Sequence, residues 1–128
     1  QSGESAFNMA KVDRSDIDLA MIYDSFTITV LATLENLGFC EPGEGGHFVS
    51  DGGISLEGAL PVNPDGGGLS SNHPGMRGIF LVIEAVKQLR HECDARQVGD
   101  PELALAHGTG GTIGDKHSGA TLILGVDR

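Results

Sequence analysis

The chain has 128 residues, the length of one domain, and a formal charge of −10, with 20 Gly, 5 Phe, a single Tyr and no Trp. That acidity argues against nucleic acid and anionic membrane surfaces as partners, since both require a basic footprint. The composition describes a loop-rich α/β protein with an aliphatic core that buries roughly two-thirds of its unfolded surface. Its 2 cysteines, Cys40 and Cys93, fit neither a disulfide framework nor a zinc site, which reads as a reducing, cytoplasmic setting. No apolar run approaches the roughly 20 residues that span a bilayer, and no signal peptide is visible. The chain begins at Gln1 rather than Met, a start that fits a piece of a longer protein as well as a whole one.

Residues 4–12 are predicted to form a short helix, and the apolar run 17–23 a buried strand. From Asp24 to Leu37 the apolar residues fall near a helical period, and Gly38 is placed to close the helix as a left-handed cap. The β-branched Thr27, Ile28, Thr29 and Val30 keep a longer strand open as an alternative. Residues 47–49 and 54–56 are expected to pair as a small hairpin across Asp51-Gly52-Gly53, with a short strand at Val62. From Gly75 to about Glu92 the spacing of Ile79, Leu81, Val82, Val86 and Leu89 predicts an amphipathic helix with those residues on its inner side. Strands at 102–107 and 118–125 follow, separated by a glycine turn from Gly108 to Gly114. This alternation predicts a layered α/β/α domain with a mixed, mostly parallel sheet.

Three loops then fall where open α/β sheets place ligands, at the carboxyl ends of strands. The first is Tyr23-Asp24-Ser25-Phe26, in which Asp24 or Ser25 also serves as a helix cap. In the second, Gly66, Gly67 and Gly68 permit close approach of backbone, and His73-Pro74 leads into the helix, a sound place for an acid/base imidazole. The third is His107-Gly108-Thr109-Gly110-Gly111, where Gly110 and Gly111 would offer backbone N–H groups to an oxyanion. His47 and His117 sit in polar loops, and His91-Glu92-Cys93-Asp94 lacks the histidine pair of a zinc helix, so no metal is expected. Cys40 and Cys93 have acidic neighbours that raise a thiol pKa and make poor nucleophiles.

In order and spacing these loops resemble the C-terminal half of the thiolase superfamily, over about residues 5–125, and especially its sterol-carrier-protein-type members. The family's His-Pro-x-Gly-x-x-Gly is approached by His73-Pro74-Gly75-Met76-Arg77-Gly78, with the first glycine one residue early. Asn63 with its glycine triplet also fits, as do Phe26-Thr27 and Leu34-Glu35-Asn36-Leu37-Gly38. The resemblance implies a fold of two similar halves, each with a five-stranded mixed sheet, of which residues 1–128 supply most of the second. The other half would carry the nucleophilic Cys that takes an acyl group from coenzyme A.

By that resemblance His73, Tyr23 and His107 are the catalytic candidates, with His73, Tyr23 and the last glycine hairpin sharing one pocket rim, and Gly67, Gly68, Gly110 and Gly111 line the thioester substrate. No tightly bound cofactor is implied. Where ordinary thiolases have Asn-Glu-x-Phe, and sterol-carrier types His-Asp-x-Phe, this chain has Tyr23-Asp24-Ser25-Phe26. The usual second Cys of the last loop is replaced by His107-Gly108-Thr109. Three functions remain open. One is an acyl-CoA acyltransferase that makes or breaks carbon–carbon bonds. Another is a retro-aldolase on a β-hydroxyacyl-CoA, working with a zinc-ribbon/OB-fold partner. The last is a non-catalytic acyl-CoA or lipid binder. The implied partners are the N-terminal half of the same protein and, when complete, a second copy. Without that half the chain is expected to be inert and to expose an apolar face.

Overall fold

The computed structural model describes residues 1–72, 75–113 and 116–127, with the backbone alone for 112, 113, 116 and 117. Helix α1 spans Ser2–Ala10, strand β1 Leu19–Ile22, α2 Thr27–Leu37, α3 Gly45–Val49, α4 Arg77–Leu89, β2 Leu103–Ile113 and β3 Lys116–Gly125. Among the described residues the sheet has three strands in the order β1-β2-β3. β1 pairs in parallel with β2 and β2 antiparallel with β3, so the sheet is mixed. Val62 adds one further parallel bridge, to Ala20.

β1 is buried on both faces, as its unbroken run Leu19-Ala20-Met21-Ile22 requires. Ala20, Ile22 and Leu105 face α1 and α2, where they pack with Phe7, Val30, Leu34 and Leu37. Leu19, Met21, Ala104 and Ala106 face the other way, onto Leu81, Ala85 and Leu89 of α4. The result is the expected α/β/α layering, two aliphatic clusters divided by the sheet.

The β-branched start of α2 is helical after all. Burial of Val30, Thr33, Leu34 and Leu37 on one stripe outweighs a propensity difference of a few tenths of a kcal/mol per residue. Gly38 ends it at φ 83°, its N–H bonded to the carbonyls of Leu34 and Glu35. At the other end the cap comes from inside the helix. The Thr29 hydroxyl donates to the Phe26 carbonyl at 2.6 Å and accepts from the Phe26 N–H at 3.2 Å.

Three expectations are corrected. The proposed hairpin at 47–56 is instead α3 followed by a 3-10 turn at Ser50–Gly52. The short runs there are half-buried contacts on the α2 cluster, with Phe48, Val49 and Ile54 packed against it. Gly108 to Ile113 do not form the turn but continue β2, in register with β3 except for a shift between Gly110 and Thr112. Ile79 is not on the inner face of α4. It is exposed with Met76, Phe80 and Ile83, while Glu84 and Gln88 occupy buried positions.

Two of the buried polar residues of α4, Glu84 and Gln88, are held in a closed network. Glu84 receives two hydrogen bonds from the Arg96 guanidinium, at 2.9 and 3.1 Å, and one from Gln88 at 3.0 Å. Gln88 also donates to the Arg96 carbonyl and accepts from the Val98 N–H, both at 2.9 Å. Burial pushes the Glu84 carboxyl pKa up, but the bonds from Arg96 and Gln88 and the Arg96 charge outweigh it, leaving it below the ordinary value. This network ties the 90–98 connection to α4. No helix among the described residues is long and apolar enough to cross a membrane.

Candidate active site

The loop that follows β1 and the glycine loop meet at the carboxyl end of β1. Asn63 makes the join: its side-chain oxygen accepts from the Ile22 N–H and its amide donates to the Ile22 carbonyl, both at 2.8 Å. Its own N–H bonds to the Ala20 carbonyl at 3.1 Å. Asn63 therefore acts as a strand neighbour for a β1 edge that has otherwise only the Val62 bridge. It reaches that geometry at φ 49°, a conformation asparagine tolerates better than most residues.

Asp24 then determines the shape of the glycine loop. Its carboxylate, 4% exposed, accepts from the N–H of Gly68 at 2.8 Å and of Leu69 at 3.0 Å. A Cβ on Gly67 would stand 2.1 Å from Asp24 Oδ2, and Gly67 sits at φ 66° and ψ −170°, which side-chain-bearing residues avoid. The close approach that the triplet permits is thus to a carboxylate of the chain itself. The Gly67 N–H is also occupied, by Asp65 Oδ1 at 2.9 Å. The N–H of Gly67 is thus committed to Asp65 and that of Gly68 to Asp24. Asp24 does not cap α2.

Around this join lies a cavity of about 300 Å³, walled by Tyr23, Asp24, Ser25 and Phe26 on one side and by Gly68, Leu69 and Ser71 on the other. Tyr23 packs partly against the α4-side cluster and its N–H bonds to the His107 carbonyl at 2.9 Å. His73 and Pro74 lie outside the described residues.

His107 is the last residue of β2 to pair with β1, opposite Ile22. Its imidazole shares the Ile22 face of the sheet, toward α1. There Nδ1 lies 2.8 Å from the Thr121 hydroxyl, which is 3.0 Å from the Ser2 hydroxyl. The imidazole is buried, and burial holds its pKa below the ordinary histidine value, so it is neutral at pH 7. Tyr23 thus faces α4 and the His107 imidazole faces α1. Gly110 and Gly111 belong to the part of the β2–β3 hairpin that extends beyond β1, with Gly111 at φ 60°. Gly108 closes on the start of α4, where its Cβ would meet the Gly78 Cα at 4.0 Å. A second, apolar cavity of about 180 Å³ sits there, between Gly78, Leu81 and Val82 of α4 and the sheet residues Ala106, His107, Gly108, Ala120 and Leu122.

Neither thiol enters the 300 Å³ cavity. Cys40 is raised in pKa chiefly by burial, then by Glu35, Glu44 and Glu41; Cys93 is raised by burial and then by Glu84, to which it donates at 3.5 Å. Among the described residues no group of three or more His, Cys, Asp or Glu side chains could hold a metal ion. The features that sequence reading missed are Asp24 as organiser of the glycine loop, and Asp65 and Arg77 beside it. A carboxylate one residue after a buried strand, with a glycine triplet downstream, was the available signal.

The family model described as "Thiolase C-terminal domain-like" matches residues 1–126. This chain belongs to the thiolase C-terminal domain family. Among its relatives is the acetyl-CoA acetyltransferase of Methanothermobacter thermautotrophicus, 44% identical over 114 residues, 88% of this chain and 30% of that protein. The steroid side-chain-cleaving aldolase of Thermomonospora curvata is 42% identical over 127 residues, 98% of this chain and 30% of that protein. Among solved structures, the one titled Ltp2-ChsH2(DUF35) aldolase superposes with a TM-score of 0.82 at 37% identity, covering 99% of this chain and 31% of that one. This thiolase C-terminal domain thus spans about 30% of the length of these relatives.

Proposed function

We propose that this thiolase C-terminal domain is the catalytic C-terminal part of an enzyme that makes or breaks a carbon–carbon bond in an acyl-CoA thioester. The observation that carries the reading is the cavity at the carboxyl end of β1, which places the phenol-bearing Tyr23 beside the loop that leads to His73. In this reading Tyr23 donates a hydrogen bond to the oxygen on which charge develops, and His73 is the general base. The coenzyme A thioester is substrate, not resident cofactor. The face of α4 carrying Met76, Ile79, Phe80 and Ile83, with Met76 77% exposed, supports an apolar partner there, read as the N-terminal half of the same protein.

A second reading, retro-aldol cleavage of a β-hydroxyacyl-CoA, is favoured by two observations. A tyrosine stands at the head of the Tyr23–Phe26 motif, and no cysteine lines its cavity. In such a step the β-hydroxyl loses its proton to a base and the Cα–Cβ bond breaks. Its electrons pass into the thioester carbonyl as an enolate, Cβ becomes a carbonyl, and an acid returns a proton to Cα. A zinc-ribbon/OB-fold partner belongs to this reading only.

The test is direct. The complete enzyme is supplied with acetoacetyl-CoA and free coenzyme A, and separately with a β-hydroxyacyl-CoA, and acyl-CoA products are followed by chromatography. Thiolysis supports acyl transfer, and release of a free carbonyl compound supports the aldolase. Binding without turnover of either would leave an acyl-CoA binder and sink both enzymatic readings.

A further inference from the structure

The segment from Asn63 to Ser71 is fastened by charge at two points. Asp24 takes the Gly68 and Leu69 amides. Arg77, the first residue of α4, reaches back to Asp65 with Nη2–Oδ2 at 3.0 Å. Arg77 is 7% exposed, and its buried Nε has no hydrogen-bond partner among the described residues. A Cβ on Gly68 would lie 2.9 Å from Asp24 Oδ1 and 3.7 Å from Arg77 Nε, so carboxylate and guanidinium flank the same glycine. A buried guanidinium with an unused N–H is tolerated where opposite charge offsets its desolvation. Here Asp65 supplies that charge by contact and Asp24 supplies it across Gly68.

We propose that Asp24, Asp65 and Arg77 form one clasp that positions the Tyr23 cavity, with Arg77 a positioning residue that never touches substrate. Asp24 follows Tyr23 directly, and the opposite wall, Gly68, Leu69 and Ser71, belongs to the clasped segment. Opening the clasp at Arg77 therefore moves one wall of the cavity against the other. The inference rests on reading that cavity as the active site, but its first test does not.

Amide hydrogen exchange of the complete protein is measured at Gly68 and Leu69, with the buried Leu105 amide of β2 as reference, in the parent, Arg77→Met, Arg77→Lys and Asp65→Asn. Arg77 bonds to neither amide, so a local packing role would leave their exchange no faster than the reference. The expected result is roughly tenfold faster exchange at both amides relative to Leu105 in Arg77→Met and Asp65→Asn, the scale of one lost charge-assisted contact, with most protection regained in Arg77→Lys. Should Arg77→Met fail to fold, Asp65→Asn and Arg77→Lys decide the matter. Unchanged exchange, or equal acceleration at Leu105, overturns the clasp.

In the complete enzyme Arg77→Met is expected to lower kcat by about a hundredfold with KM for the acyl-CoA held, and Arg77→Lys to recover part of it. Faster exchange with kcat unchanged would overturn the positioning role. A parent enzyme without turnover would overturn the acyl-CoA reading and leave the clasp standing on exchange alone.

Discussion

Tyr23 and His107 are joined main chain to main chain, N–H to carbonyl at 2.9 Å, yet their side chains leave the sheet on opposite faces. The phenol sits with the α4 cluster, whereas the imidazole bonds to Thr121 on the α1 side. Proximity along the backbone thus separates two groups that a loop-by-loop reading would place together. Tyr23 lines the cavity bounded by polar loops, and His107 lines the apolar one beside α4.

Replacing Tyr23 by Phe removes one hydroxyl and little volume. In the complete enzyme kcat is expected to fall by about 10²- to 10⁴-fold, the usual scale for one positioned proton donor, with KM changed far less. Steady-state kinetics on an acyl-CoA substrate check this, and a fall confined to KM would remove Tyr23 from the chemistry.

The 128-residue chain by itself is expected to turn over neither acetoacetyl-CoA nor a β-hydroxyacyl-CoA, since it spans about 30% of the relatives it matches and offers no thiol in the cavity. A coupled assay at high protein concentration is the measurement. Turnover abolished by Tyr23→Phe would show that the site is complete without further chain.

Gly67 and Gly99 make a matched pair. Gly67→Ala would place a methyl 2.1 Å from Asp24 Oδ2 at a strained φ, while a Cβ on Gly99 meets nothing within 4 Å. The first substitution is expected to cost about 1–3 kcal/mol, and the second to stay within about 0.5 kcal/mol. Urea unfolding of both variants compares them.

His107 contributes a pH dependence of known sign. Its folded pKa lies below the ordinary 6.5 because burial disfavours the charged ring, so below about pH 6.5 the unfolded chain binds the proton first. Its contribution to stability is complete above that pH and is lost as the pH falls toward the folded value. Unfolding midpoints between pH 8 and pH 5, read as roughly that window, should slope less in His107→Asn than in the parent. Parallel slopes would contradict this account.

Glu84 acts in a lower window. Its net pKa is depressed below 4.5, so its contribution stands above that value and fades as the carboxyl protonates in the folded state. Glu84→Gln is expected to cost about 1–3 kcal/mol at pH 7 and to flatten the acid limb of the stability curve. A variant as stable as the parent at neutral pH would mean that the network of Arg96 and Gln88 is not stabilising.

Much of this fold could be read in advance because burial leaves a period behind. The run Leu19 to Ile22 announces a two-faced strand, and Gly38 after Leu37 announces a helix stop. The misreadings share one cause, apolar residues whose partners are not local. Ile79 fits a helical stripe but faces outward with Phe80 and Ile83, while Glu84 and Gln88 take buried places that a hydropathy pattern assigns to aliphatic side chains. Gly108 to Gly111 looked like a turn because glycine is common in turns, but pairing with β3 carries the strand through them. At the site, the three loops were recognisable by residue type. Which side chain meets which was not, because the Asp24 contact spans 44 residues of sequence.

The fit of Asp24 into the space left by Gly67 also makes the two positions interdependent. Shortening residue 24 would vacate the volume that forbids a methyl at 67, so the second substitution should do less harm in that background than alone. Related chains that have lost the acid at 24 would therefore be released from part of the constraint at 67, leaving its backbone angles and the Asn63 amide, 3.1 Å from that Cβ, to favour glycine.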